Sequence, residues 1–186
     1  AVIALLRDEK GDWRLPPALR RPKPPLMNEL PLPLPGKLYR SVMPGSRMFD
    51  PEDKVLNLYQ QAGIEVVVVL TPEFDIREYA QKDPRERYEQ AGLTQINAAV
   101  ADFTAPPSGT WNSAIQEVAS LLRSGKKVAV HCHAGIGRTG MFCACLAQDL
   151  LALSPQESIE WVRGYIPGAV ETEYQNQFVL EYPRFR

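Results

Sequence analysis

Histidine and cysteine are scarce in this chain: two histidines and three cysteines among 186 residues. The cysteines, Cys132, Cys143 and Cys145, are odd in number and clustered, which is not the layout of a disulfide framework. Cys143 and Cys145 stand two apart on a predicted helix, so they share no face and cannot readily pair. Free thiols point to a reducing compartment, and a cytoplasmic location is expected. Neither histidine is spaced as a ligand pair with a cysteine, so no metal site and no cofactor is expected. An excess of one charge is missing as well. The formal net charge of -1 provides no global basic field, and nucleic-acid binding is not expected. No apolar run is long enough to cross a bilayer. The opening Ala1-Val2-Ile3-Ala4-Leu5-Leu6 is too short for the core of a signal peptide, and a start at Ala1 fits a chain trimmed upstream.

What is present is enough for one domain with one core, but proline is unevenly spread. Pro16, Pro17, Pro22, Pro24, Pro25, Pro31, Pro33 and Pro35 remove backbone donors and forbid helix or central strand. Residues 1–37 therefore read as a proline-rich N-terminal arm, and residues 38–186 as the folded domain. Leu26, Leu30, Leu32 and Leu34 favour an arm that packs on the domain. A ligand for a proline-binding module is the sharper alternative.

Beyond the arm, strands alternate with helices. Leu38 to Val42 reads as a strand, and Asp50-Pro51-Glu52 as a helix start with its stop near Gly63. Ile64 to Leu70 is a β-branched run suited to a strand covered on both faces. Asp83-Pro84 starts a helix that ends near Gly92, and 93–98 is a strand. Residues 110–124 carry helical spacing, and Lys127 to His131 is a second buried strand. Arg138 to Leu153 is an apolar helix, Ser154-Pro155-Gln156-Glu157 a capping box, and 171–182 a closing helix. The alternation predicts an α/β fold, with a central, mostly parallel sheet flanked by helices on both faces.

The chemistry concentrates in His131 to Gly140, HCHAGIGRTG, where a buried strand meets a helix. Free N–H groups of a first helical turn point outward there, and the helix dipole adds positive potential. Gly135 and Gly137 let the backbone curl, so that the amides of His133, Ala134, Gly135, Ile136 and Gly137 form a nest for an anion. Arg138 adds a planar cation that can hold two phosphate oxygens. Amides and a cation around a sulfur favour the thiolate, so Cys132 is the expected nucleophile toward a phosphate ester. The loose transition state of phosphoryl transfer spreads charge over three oxygens, which the same donors would stabilise. Thr139 is expected to donate a hydroxyl hydrogen bond to Cys132.

His131, Cys132, Gly135, Arg138 and Thr139 match, in order, the signature of the protein tyrosine phosphatase superfamily, which this stretch resembles. The resemblance covers roughly residues 38 to 182. It implies a tyrosine-phosphatase-like fold, with the phosphate loop between a buried strand and a helix, and a cysteinyl-phosphate intermediate. It also implies a mobile acid loop at 100–107, with Asp102 as general acid and base; Val100 and Ala101 stand where classical tyrosine-specific members have tryptophan and proline. Asp75, after the valine-rich strand, is the rival acid. Residues 167–175 resemble the segment that positions the hydrolytic water, with Gln175 as the orienting glutamine and Glu171 where classical enzymes have another. Ile166 replaces a common arginine, and Arg163 is its expected partial substitute. His131 is expected to orient the loop, and His133 either to touch substrate or to stand solvated at the rim. Arg40 is expected to be structural or near the pocket. Cys143 and Cys145 are expected in helix packing, a backup thiol being the sharper idea.

No counterpart of the phosphotyrosine-recognition loop is evident, which implies a shallow pocket and a dual-specificity-like enzyme acting on phosphotyrosine, phosphoserine and phosphothreonine. The alternative is a phosphoinositide or inositol-phosphate phosphatase, whose loop commonly carries lysine; here the variable positions are His133, Ala134, Ile136 and Gly137. A silent phosphate-binding module is a further alternative. The expected partner is a phosphorylated protein, small molecule or lipid headgroup.

Overall fold

The computed structural model describes residues 23–183 and two short strands that pair antiparallel, β1 (Leu6–Arg7) and β2 (Trp13–Arg14). The expectations for Ala1 to Leu5 and for Pro16, Pro17 and Pro22 lie outside the described residues.

Five further strands form one sheet: β3 (Met27–Leu30), β4 (Lys37–Ser41), β5 (Val66–Val69), β6 (Thr94–Asn97) and β7 (Lys127–His131). Their order is β3-β4-β7-β5-β6. β3 runs antiparallel to β4 at one edge, and the other neighbours are parallel. β3 comes from the block read as an arm. Pro31, Pro33 and Pro35 follow it, and an edge is where a proline-flanked segment can join a sheet without losing ladder bonds.

Seven helices complete the described part: α1 (Val55–Ala62), α2 (Glu73–Tyr79), α3 (Pro84–Gln90), α4 (Asn112–Arg123), α5 (Gly137–Leu151), α6 (Pro155–Tyr165) and α7 (Glu173–Glu181). The pleat divides the valine run between two layers. Val66 and Val68 join Leu38, Val128 and Val130 in a core with Ile115, Phe142 and Ile159 of α4, α5 and α6. Val67 and Val69 join Tyr39 and Ala129 in a second core with Tyr59 and Tyr88 of α1 and α3. The sheet is thus covered on both faces, as the alternation predicts.

Two local readings differ from the structure. Asp50 does cap, its carboxylate accepting from the N–H groups of Lys54 (2.8 Å), Val55 (3.2 Å) and Gly45 (2.8 Å). Pro51-Glu52, however, form a turn, and α1 opens only at Val55. α2 has no counterpart in the sequence reading, because only Asp75 and Ile76 of its seven residues are buried and no apolar period results. At α6 the capping box is reciprocal between Ser154 and Glu157, as read.

Candidate active site

The parallel strands end along one sheet edge, and there β7 turns into α5 through residues 132–136. Such edges are the usual ligand side of α/β sheets. Gly135 has φ +68°, and a Cβ on it would run into the Ser41 carbonyl, so this position requires glycine. A Cβ on Gly137 would overlap the Glu171 carboxylate and stand 3.0 Å from Gln175 Oε1. The loop is therefore packed between β4 and the start of α7, with no room for side chains at either glycine.

Arg40, buried on β4, grips this loop from behind. Its Nε donates to Gly135 O (3.0 Å), Nη2 to Ala134 O (3.2 Å), and Nη1 to Pro25 O. A trans peptide carries its N–H opposite its C=O. Drawing those carbonyls toward Arg40 turns the Gly135 and Ile136 amides the other way. Burial pulls the guanidinium below its ordinary pKa, and the Cys132 sulfur partly offsets this.

Arg138, at the start of α5, is 1% exposed. Its Nη1 donates to Asp75 Oδ2 (2.6 Å) and to Val100 O (3.0 Å). Its Nε lies 3.1 Å from Asp102 Oδ1, yet the N–H is not aligned for a hydrogen bond and has no partner among the described residues. Burial would lower this guanidinium; the Cys132 sulfur, Asp75 and Asp102 outweigh it and hold it above its usual range. Asp75, the rival acid, has its carboxylate buried and bonded to Arg138, and it does not line the cleft beside Cys132. Asp102 is 40% exposed on its loop and accepts from Phe103 N–H. Thr172 Oγ1 donates to Phe103 O (3.0 Å), tying that loop to the N-cap of α7.

His131 is fully buried, and burial pushes its pKa down to about 4, so the ring is neutral at pH 7. Nδ1 lies 3.1 Å from Cys132 O, which can only accept, so Nδ1 carries the proton. Nε2 then accepts from Tyr88 OH at 2.9 Å. His133 does not stand solvated at the rim. Its ring stacks on Tyr79 (4.2 Å between centroids), meets Phe49 edge-on (4.9 Å), and places Nε2 3.1 Å from Ser46 Oγ. Burial, then the Arg138 cation, lowers its pKa.

Thr139 Oγ1 is buried and has no hydrogen-bond partner among the described residues. The expected bond to Cys132 is not formed in this structure. Gln175 is fully buried beside Gly137; its Oε1 accepts from Glu171 N–H (2.8 Å), and its Nε2 has no partner among the described residues. Arg163 donates to Ala169 O (3.0 Å) and Val170 O (3.2 Å), anchoring the segment before α7. Cys143 and Cys145 are fully buried in the core, and burial pushes the Cys143 thiol up to about 12. Among the described residues no three His, Cys, Asp or Glu side chains are grouped to hold a metal.

Cys132, His133, Ala134, Ile136 and Gly137 line a cleft of about 420 Å³. Asp102, Phe103 and Glu171 also line it, as do Met48, Phe49, Tyr79, Lys23 and Pro24. Sequence reasoning missed the contacts that lock the site: Arg40 on the loop carbonyls, Asp75 on Arg138, and Tyr88 on His131. Arg40 was expected to be structural or near the pocket, and Asp75 stood just past a buried parallel strand; Tyr88 carried no signal.

A thiol-bearing loop between a central parallel strand and a helix, in a sheet of this order, defines a tyrosine-phosphatase fold. Residues 43–150, more than half the chain, match the family described as "Polymorphic toxin system, DSP-PTPase phosphatase", and the chain belongs to that family. It is 27% identical over 125 residues to rat (Rattus norvegicus) cyclin-dependent kinase inhibitor 3, a match covering 66% of this chain and 59% of that protein. The match thus spans only about three fifths of that relative's length. Tk-PTP in its active form is 28% identical, with a TM-score of 0.65 over 78% of this chain and 92% of that one. Kinase associated phosphatase shares the fold at 22% identity, with a TM-score of 0.69 over 78% of this chain and 84% of that one.

Proposed function

We propose that this chain is a phosphomonoester hydrolase that works through a cysteinyl-phosphate intermediate and dephosphorylates phosphotyrosine, phosphoserine or phosphothreonine in proteins. The observation that carries the reading is Cys132 at a cleft whose loop carbonyls Arg40 draws to the far side, which favours amides facing a bound phosphate. The unpartnered Arg138 N–H is a further donor for a phosphate oxygen.

In this reading the Cys132 thiolate attacks phosphorus, the P–O bond to the leaving group breaks, and Asp102 gives that oxygen its proton. Water then attacks the phosphocysteine, Asp102 takes a proton from it, and the sulfur leaves as thiolate. In this reading the leaving sulfur is served by Thr139 Oγ1 and the water by Gln175 Nε2, two groups without a hydrogen-bond partner among the described residues. Residues 38–186 act as the catalytic domain. Residues 1–37 remain an arm, part of which is built into the sheet as β3. Three free thiols suit a cytoplasmic setting.

Protein substrates are favoured by the lining. Among the described residues it holds one cation, Lys23, against two carboxylates, Asp102 and Glu171, beside Phe49, Tyr79 and Phe103. A phosphoinositide or inositol polyphosphate brings several negative charges to a surface with few to meet them; an aryl ring finds aromatic neighbours. Initial rates on phosphotyrosine and phosphothreonine peptides, a phosphoinositide and an inositol polyphosphate, without added metal, test this. Preference for the peptides is expected, and preference for the polyphosphates would reverse the substrate class. Absence of turnover would leave a silent phosphate-binding module.

A further inference from the structure

A second cleft, of about 380 Å³, adjoins the first, and Lys23, Pro24 and Ile136 line both. It is otherwise walled by Pro25, Tyr165, Ile166 and Pro167, with Asn28 and Arg40. These walls come from the N-terminal arm on one side and from the end of α6 on the other. The arm precedes residue 43, where the family match begins.

We infer that this side cleft is a specificity subsite, which takes an apolar side chain flanking the phosphorylated residue of a peptide substrate. The inference rests on the phosphatase reading above and adds a substrate feature that lies outside the central cleft. Two observations support it. The two clefts share Lys23, Pro24 and Ile136 as walls, and an extended chain advances about 3.3 Å per residue, so a neighbouring residue reaches from one to the other. The walls are mainly aliphatic, proline and aromatic, and Tyr165 is 37% exposed, which suits an apolar side chain leaving water. Asn28 backs this wall: its Nδ2 donates to Tyr165 O (3.3 Å), and its Oδ1 is closed off from solvent.

The test uses the full chain and matched phosphotyrosine peptides, with leucine, glycine or aspartate placed one or two positions to either side, and a small aryl phosphate as a substrate that fills only the central cleft. On one flank leucine is expected to raise kcat/KM about ten-fold over glycine or aspartate. Tyr165→Ser should remove most of that preference and leave aryl-phosphate turnover unchanged. Three results would overturn the subsite: no flank preference, an equal loss on peptide and aryl phosphate in Tyr165→Ser, or a Tyr165 effect confined to a phosphoinositide in micelles. Fluorescence anisotropy of the same peptides on Cys132→Ser reads the side cleft without turnover. A wild type that turns over nothing would therefore count against the phosphatase reading, while leucine-dependent affinity would still decide the subsite.

Discussion

Arg138 and Asp75 meet across 2.6 Å with side chains 1% and 5% exposed, so the guanidinium at the head of α5 is held by a carboxylate from α2. Removing one partner of such a pair leaves a buried charge without its counterion, at a cost of about 3–5 kcal/mol. Asp75→Ala should therefore lose that order of stability. Asp75→Asn keeps the side-chain shape but not the charge, so it should also lose stability and weaken inorganic phosphate binding, because the guanidinium is no longer held by an ion pair. Urea unfolding together with phosphate inhibition measures both. An Asp75→Asn variant with unchanged phosphate affinity would remove the anchoring role.

Asp102 should be separable from Asp75 by leaving group. Asp102→Ala is expected to slow turnover roughly 10²–10⁴-fold on an alkyl phosphate, whose oxygen needs a proton as it departs. The phosphorylation step with a nitrophenyl phosphate, whose oxygen departs readily as an anion, should suffer far less. Single-turnover rates of leaving-group release from the two esters provide the check; equal losses in that step would remove Asp102 as the acid.

The two carboxylates also mark how far the sequence could be read. The strand–loop–helix string, with its glycines, announced the site, because a nest of amides needs those residue types at that spacing. The valine-rich strands and the capping signals at Asp83 and Ser154 were legible because their chemistry is local. Asp75 on Arg138, Arg40 on the loop and Tyr88 on His131 join residues 63, 95 and 43 positions apart. No local pattern encodes such pairs. β3 was hidden for a related reason: prolines describe what a segment cannot pair with on one side, and its edge position becomes evident only with β4 in place.

Arg40→Lys should impair catalysis without unfolding the chain. Lysine keeps the charge but lacks the planar fork that reaches two carbonyls at once. A loop displaced by an ångström can cost on the order of 10²-fold in rate. The expected signature is a large fall in kcat and weaker binding of vanadate in a chain that still unfolds cooperatively, with a thermal midpoint lowered by the lost buried hydrogen bonds. Unchanged kcat would mean that the loop holds its shape without Arg40.

His131 should make stability pH-dependent. Burial holds its folded pKa near 4, against an ordinary value of 6.5. Between these values the unfolded chain binds a proton that the folded chain refuses, so stability is full above pH 6.5 and falls as the pH drops toward 4. The loss is of the order of 3 kcal/mol. Urea midpoints across this range should fall more steeply for wild type than for His131→Asn, which has no such proton to bind; parallel curves would contradict the assignment.

The most direct measurement is mass spectrometry of enzyme quenched in acid during turnover of an aryl phosphate. A phosphate adduct on the peptide that contains Cys132, absent in Cys132→Ser and accumulating when Asp102 is replaced by alanine, is the predicted result. Turnover with no adduct on Cys132, or with the adduct on another side chain, would contradict it.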